Sequence, residues 1–119
     1  MRLGHRLLTL MRVLGATLII LGIGFWTGHW YGLVPLHRAL GTAFVLSLWA
    51  IAALAIAARR SVPLAAAAVA WGLVVAGLGM SQQHILTGDY HWIVRVLHLG
   101  VAMASMPLAG RLATQGARS

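Results

Sequence analysis

The feature that most constrains this chain is a set of four apolar stretches, each about as long as a membrane-spanning helix. They cover residues 13–30, 35–58, 62–82 and 90–110. A helix needs about 20 apolar residues to cross roughly 30 Å of hydrocarbon. Open strands cannot cross lipid, because their backbone N–H and C=O groups would lack hydrogen-bond partners. The sequence therefore predicts an all-α transmembrane protein.

The connections between the stretches are short, so consecutive helices are expected to run antiparallel. This predicts one integral membrane domain, an up-down four-helix bundle with the lipid bilayer as its surroundings. The composition agrees, since 61% of the residues are hydrophobic and only 8% are charged. Soluble domains usually carry about 25% charged residues.

The basic residues are all arginines, and they flank the apolar stretches instead of forming a nucleic-acid-binding face. Nucleic acid is therefore excluded as a partner despite the net charge of +8. Arginines concentrate on the cytoplasmic side of membrane proteins. This predicts a bacterial inner-membrane protein with both termini in the cytoplasm. On that side we expect Arg2, Arg6, Arg12, Arg59, Arg60, Arg111 and Arg118, and on the outer side Arg38 and Arg95.

Several chemistries are excluded by residues that the chain lacks. It has no cysteine, so disulfides, thiolate metal sites and iron–sulfur clusters are ruled out. Its single acidic residue is Asp89. A pair of carboxylates for hydrolytic acid–base catalysis is therefore absent.

The histidines carry the strongest functional signal in the sequence. In the predicted topology, five of the six lie in the outer half of the bundle: His29, His37, His84, His91 and His98. Ionisable residues within a membrane are costly, so they indicate a functional site. His29, His84 and His91 are also compatible with a position at the headgroup level. His98 is expected about 10 Å below the outer boundary, at 1.5 Å per residue.

His37 and His98 each have a small residue one turn below them, and their spans run in the same direction. Two inward-facing imidazoles on different helices meet the requirement for bis-histidine haem ligation in a helical bundle. Arg38 and Arg95 lie on the same outer side. Their guanidinium groups could pair with haem propionates, or extend to lipid phosphates.

Two stretches, LHRALG at residues 36–41 and HWIVRVLHLG at residues 91–100, resemble bacterial membrane b-type cytochromes and one half of haem A synthase. The resemblance covers the second to fourth spans. It implies haem b, with His37 and His98 as iron ligands, and electron transfer linked to a quinone. His98 is expected roughly 9–10 Å deeper than His37. Pairing of His37 with His91, or a ligand from Met80 or His84, therefore remains open.

Two other functions remain open. Outer histidines with Asp89 could hold copper or zinc, which accept imidazole ligands; that set is His29, His37, His84 and His91. Alternatively, the protein is a non-catalytic assembly subunit that depends on membrane partner subunits or forms a homo-oligomer. The glycines of the first and third spans predict either close helix packing or clearance for a flat cofactor.

Overall fold

The computed structural model describes residues 2–115, which form four long α-helices. They are α1 (Arg2–Trp26), α2 (Val34–Ala57), α3 (Val62–Ser81) and α4 (His91–Gln115). Single 3-10 turns, Tyr31–Leu33 and Gln82–His84, lie in the connections after α1 and α3. All four helices are long and apolar enough to cross a membrane. The predicted all-α fold of four helices is confirmed, and the chain is a multi-pass membrane protein.

The bounds of α1 differ most from the predicted span. The helix begins at Arg2 and ends at Trp26, whereas the apolar stretch covers residues 13–30. Hydropathy indicates which residues lipid tolerates, but it does not determine where a helix begins. Residues 2–12 contain no proline that would interrupt the helix, so α1 extends back to Arg2. Its end is set by Gly28, whose φ of 86° is the left-handed conformation common after helices. The N–H of His29 then donates to the carbonyl of Gly24 over 2.7 Å.

The four helices form an up-down bundle measuring 50 × 23 × 17 Å. Each helix packs against the next along the chain, and α1 also packs against α4. In addition, α2 and α4 contact each other diagonally across the bundle. Residues on the inward faces of α2 and α4 are therefore brought together at its centre.

Apolar side chains from all four helices form the core, and Met11, Leu48 and Leu112 are among its most buried members. Leu21 and Val94 are also buried but lie outside this cluster. Moving an apolar side chain from lipid tails into a helix interface gains little free energy. Close contacts and hydrogen bonds must therefore hold membrane helices together.

Two indole N–H groups provide such hydrogen bonds between helices. Trp49 of α2 donates to the carbonyl of Val69 of α3 over 3.2 Å, and its ring packs against Gly72. Trp71 of α3 donates to the carbonyl of Val101 of α4 over 2.9 Å. Lipid offers these donors no acceptor, so the two hydrogen bonds fix α3 against both neighbours.

The two ends of the bundle differ in chemistry. The end where α1 and α3 finish carries exposed aromatic side chains and is called the aromatic end: Trp26, Trp30, Tyr31, Tyr90 and Trp92. The opposite end is called the arginine end and carries Arg2, Arg6, Arg59, Arg60 and Arg111. There, Nη1 of Arg60 donates to the carbonyl of Gln115 over 3.1 Å. Arg118 lies outside the described residues.

Candidate functional site

His98 lies on the inward face of α4 and is half-buried. It belongs to the same helical stripe as the buried residues Val94 and Ser105. Its ring packs directly over Gly79 of α3. A Cβ atom on Gly79 would lie 2.9 Å from Cε1 of His98, closer than real Cβ contacts allow. The absence of a side chain at Gly79 is therefore what makes room for the imidazole.

His37 lies near the start of α2 and is also half-buried. Its ring meets the ring of Phe25 edge-on, with centroids 5.3 Å apart and planes at 71°. This edge-to-face geometry is favourable between aromatic rings. Gly22 of α1 lies below the imidazole, and a Cβ atom there would be 3.9 Å from Cε1 of His37. Neighbouring groups on α1 therefore hold the ring of His37, as Gly79 of α3 accommodates that of His98.

The two imidazoles are close enough to interact electrostatically. Nδ1 of His37 and Nδ1 of His98 are both buried, and neither has a hydrogen-bond partner within residues 2–115. An unpaired buried polar group costs about 1–3 kcal/mol. The structure thus brings together the two histidines that the sequence favours as a pair, and the Nδ1 atom of each has no hydrogen-bond partner in the described part of the chain.

Arg38 and Arg95 lie beside this pair but point away from the core. Both are exposed. One follows His37 directly along α2, and the other precedes His98 by three residues on α4. Their side chains are therefore available to an anionic group at the surface of the bundle near the aromatic end.

The remaining outer histidines have other surroundings. The ring of His29 is 3.1 Å from the hydroxyl of Thr27, and Nδ1 of His91 is 3.2 Å from the carbonyl of Ile85. His84 is exposed in its 3-10 turn. Among residues 2–115, no three His, Cys, Asp or Glu side chains form a group that could hold a metal ion. The five residues considered for copper or zinc are thus not assembled into one site.

Met80 was another candidate ligand from the third span. Its side chain is 72% exposed, whereas Gly79, the preceding residue, lies against the ring of His98. Consecutive residues of a helix point about 100° apart, so the two cannot share one face. In this arrangement Met80 faces the surroundings of the bundle instead of the histidine pair.

Three of the glycines assigned from the sequence to helix packing or to a cofactor make room for rings of the chain itself. Gly79 accommodates the imidazole of His98, Gly24 lies against the indole of Trp30, and Gly72 against that of Trp49. Gly22 lies near the ring of His37, but at an ordinary contact distance.

The sequence did contain a signal for the contact of Gly22 with His37. Residues about equally distant from a turn face each other in an antiparallel hairpin, and these two lie 8 and 7 residues from Trp30, the middle of the first connection. Gly79 and His98 lie 7 and 12 residues from Leu86, the middle of the third connection, so counting does not predict their contact.

Comparisons with known proteins found no relative of this chain. No family model matches the chain, and no curated protein or solved structure matches it either.

Proposed function

We propose that the protein binds haem b through His37 and His98 and takes part in electron transfer within the membrane. The observation that carries this proposal is a pair of half-buried imidazoles whose buried Nδ1 atoms have no hydrogen-bond partner within residues 2–115, on helices that meet across the bundle. A ligand that bonds one nitrogen of each ring would offset the cost of burying them. Haem iron accepts imidazole ligands, so His37 and His98 are the residues that would hold the group.

The surrounding residues also suit a large, flat and partly anionic group. Gly79 and Phe25 restrain the two rings, so the histidines would need little reorganisation on binding. Gly41 lies one turn below His37, and a Cβ atom there would meet nothing within 4 Å. The exposed Arg38 and Arg95 would pair with propionates. When bound, haem supplies reversible one-electron transfer.

The distribution of arginines supports the proposed location. The arginine end would face the cytoplasm of a bacterium, with both termini on that side of the inner membrane. The histidine pair would then lie in the outer half of the bilayer, near the aromatic end. A quinol is the proposed electron donor, since it is a membrane-soluble reductant able to reach such a site from the lipid.

The test is to purify the protein after expression with haem supplied and to measure bound haem in single variants. We expect His98→Ala and His37→Ala to lose the cofactor, because each removes one of the two residues that would hold it. His29→Ala is the matched control and should keep it, since its ring contacts Thr27 and Trp30 instead. Full haem retention in His98→Ala would overturn the assignment.

The same variants distinguish the open alternatives. Loss of haem in His91→Ala or His84→Ala, with retention in His98→Ala, would identify a different ligand pairing. A colourless protein that carries copper or zinc by elemental analysis would replace haem with another metal. A colourless and metal-free protein that is stable only with partner chains would identify an assembly subunit.

A further inference from the structure

Arg12 is an exposed arginine near the middle of a membrane-spanning helix. It lies ten residues after the first residue of α1 and two residues before the middle of that helix. At 1.5 Å per residue this places it about 15 Å from the start of the helix and about 3 Å from its centre. Arg12 is therefore not part of the arginine end, although the sequence grouped it there.

Contacts with neighbouring helices give the depth of Arg12 independently. Gly15 of α1 lies opposite Phe44 of α2, so Arg12, three residues earlier, is level with Ser47. On α2, Trp49 lies opposite Gly72 of α3. The level of Arg12 thus falls about two residues past Gly72, well inside the apolar length of α3.

The exposed face of α1 changes character along its length. One stripe of its first half presents polar side chains, and its second half presents mainly apolar ones. The polar stripe consists of Arg2, His5, Arg6, Thr9 and Arg12, all exposed; we call it the polar face of α1. Leu3, Leu10 and Val13 are exposed beside it. Between Val13 and Trp26 the exposed residues are Ala16, Ile20 and Ile23, with Thr17 as a polar exception.

Exposed side chains on α2 and α3 indicate that lipid contacts the bundle close to its arginine end. Ile56 near the end of α2, and Val62 and Val69 in the first half of α3, are exposed apolar side chains. They cover the same depth as the polar face of α1, and apolar residues at these positions fit contact with hydrocarbon. One flank of the bundle therefore faces lipid at a depth where α1 presents arginines.

Among residues 2–115, no acidic side chain lies near Arg12. Asp89 is the only acidic residue of the whole sequence, and it lies in the connection before α4, at the aromatic end. A second copy in the same orientation would place its own Asp89 at that far end too. An arginine at this depth is costly unless it meets a counter-charge or a polar group. The described part of the chain thus offers Arg12 no carboxylate, and one from a different molecule would meet this need.

We propose that the polar face of α1 is a docking surface for a membrane-spanning helix of another protein, with an Asp or Glu side chain level with Arg12. Guanidinium pairs with carboxylate through two parallel hydrogen bonds, which are strongest where water is excluded. The hydroxyl of Thr9 already donates to the carbonyl of His5 over 3.0 Å, so its methyl group is free to pack against the partner helix. This inference is independent of the haem proposal.

The test is photo-crosslinking in intact membranes of the native host, with a photoreactive residue at Thr9. The matched control carries the same residue at Val69, which is exposed at nearly the same depth on α3. We expect one discrete protein adduct from position 9 and none from position 69. The adduct should map to a membrane span that contains Asp or Glu. Adducts to lipid alone, to a second copy of this chain, or none at all would overturn the proposal.

A second set of variants tests the charge pairing itself. Arg12→Leu should reduce the adduct at position 9 at least tenfold, whereas Arg12→Lys should keep most of it. Replacing the partner's carboxylate with its amide should cause the same loss and add nothing to Arg12→Leu. Helix content by circular dichroism checks that each variant folds. An adduct unchanged in the folded Arg12→Leu variant would overturn the ion pair.

Labelling in the same membranes checks the assigned depth. The chain has no cysteine, so Arg12→Cys introduces a single reactive thiol. We expect a water-soluble maleimide to label Ser61→Cys, in the turn after α2, but not Arg12→Cys. Rapid labelling of both would place the polar face in water and remove the reason for a partner.

Discussion

Replacing Gly79 with alanine would disturb the position of His98 without changing either histidine. The added Cβ atom would lie 2.9 Å from Cε1 of the imidazole, 3.6 Å from Nδ1 and 3.7 Å from Nε2. Carbon atoms pack best about 3.5–4.0 Å apart. The ring must therefore move by roughly 0.6–1 Å, or α3 and α4 must separate by a similar distance.

The size of the effect follows from that overlap. Inserting a methyl group into a packed site costs typically about 1–3 kcal/mol. In the variant, the His98 ring must overcome this cost to take up its haem-binding position. Haem affinity then falls roughly 5- to 150-fold, at 1.4 kcal/mol per factor of ten. Helix propensity favours alanine over glycine by about 1 kcal/mol, so the fold itself should remain intact.

The assay is titration of the haem-free protein with haem, followed through the Soret band. Gly77→Ala is the matched control, because it lies on the same helix and an added Cβ atom there meets nothing within 4 Å. We expect Gly77→Ala to bind as the unmodified protein does and Gly79→Ala to bind more weakly. Equal affinity of the two folded variants would contradict the idea that Gly79 positions His98.

Three further changes test other contacts. Gly22→Ala should leave haem affinity within about a factor of two, because its Cβ atom would lie at an ordinary 3.9 Å from Cε1 of His37; a tenfold loss by the same titration would contradict this. Trp71→Phe removes the hydrogen bond to α4 and should lower the free energy of unfolding by about 0.5–1.5 kcal/mol. Thermal unfolding in detergent measures it, and the exposed Trp92→Phe is the control that should change little. Arg95→Gln should weaken haem binding roughly tenfold by removing one charge-assisted hydrogen bond, about 1.5 kcal/mol, with an unchanged absorption maximum; a shifted maximum would indicate that the axial ligands had changed instead.

The sequence was sufficient for the number and type of the helices. Each span is long and apolar, and short connections leave an up-down bundle as the simple arrangement. Hydropathy could not locate the start of α1, because residues 2–12 mix leucines with arginines and still continue the helix. The same limit placed Arg12 at a helix end, when its distance from Arg2 shows that it is far inside.

The sequence alone was enough to predict the pair His37 and His98, but not the residues that contact their rings. The inward positions of His37 and His98 follow from helical spacing along α2 and α4. Their depth was harder to compare, because counting from the apolar boundaries put His98 two turns deeper. The contacts with Gly22 and Gly79 depend on register between helices, and hydropathy carries no information about register. Counting outward from the first turn recovers the contact of Gly22 with His37, but counting from the third turn does not recover that of Gly79 with His98.

The most direct test of the proposed function is one visible absorption spectrum of the purified protein, recorded oxidised and then reduced with dithionite. Bis-histidine haem b in the pair His37 and His98 predicts a Soret band that shifts on reduction, sharp α and β bands in the reduced state, and loss of all three in His98→Ala. A protein that stays colourless after expression with haem supplied, or a His98→Ala variant with an unchanged spectrum, would contradict it.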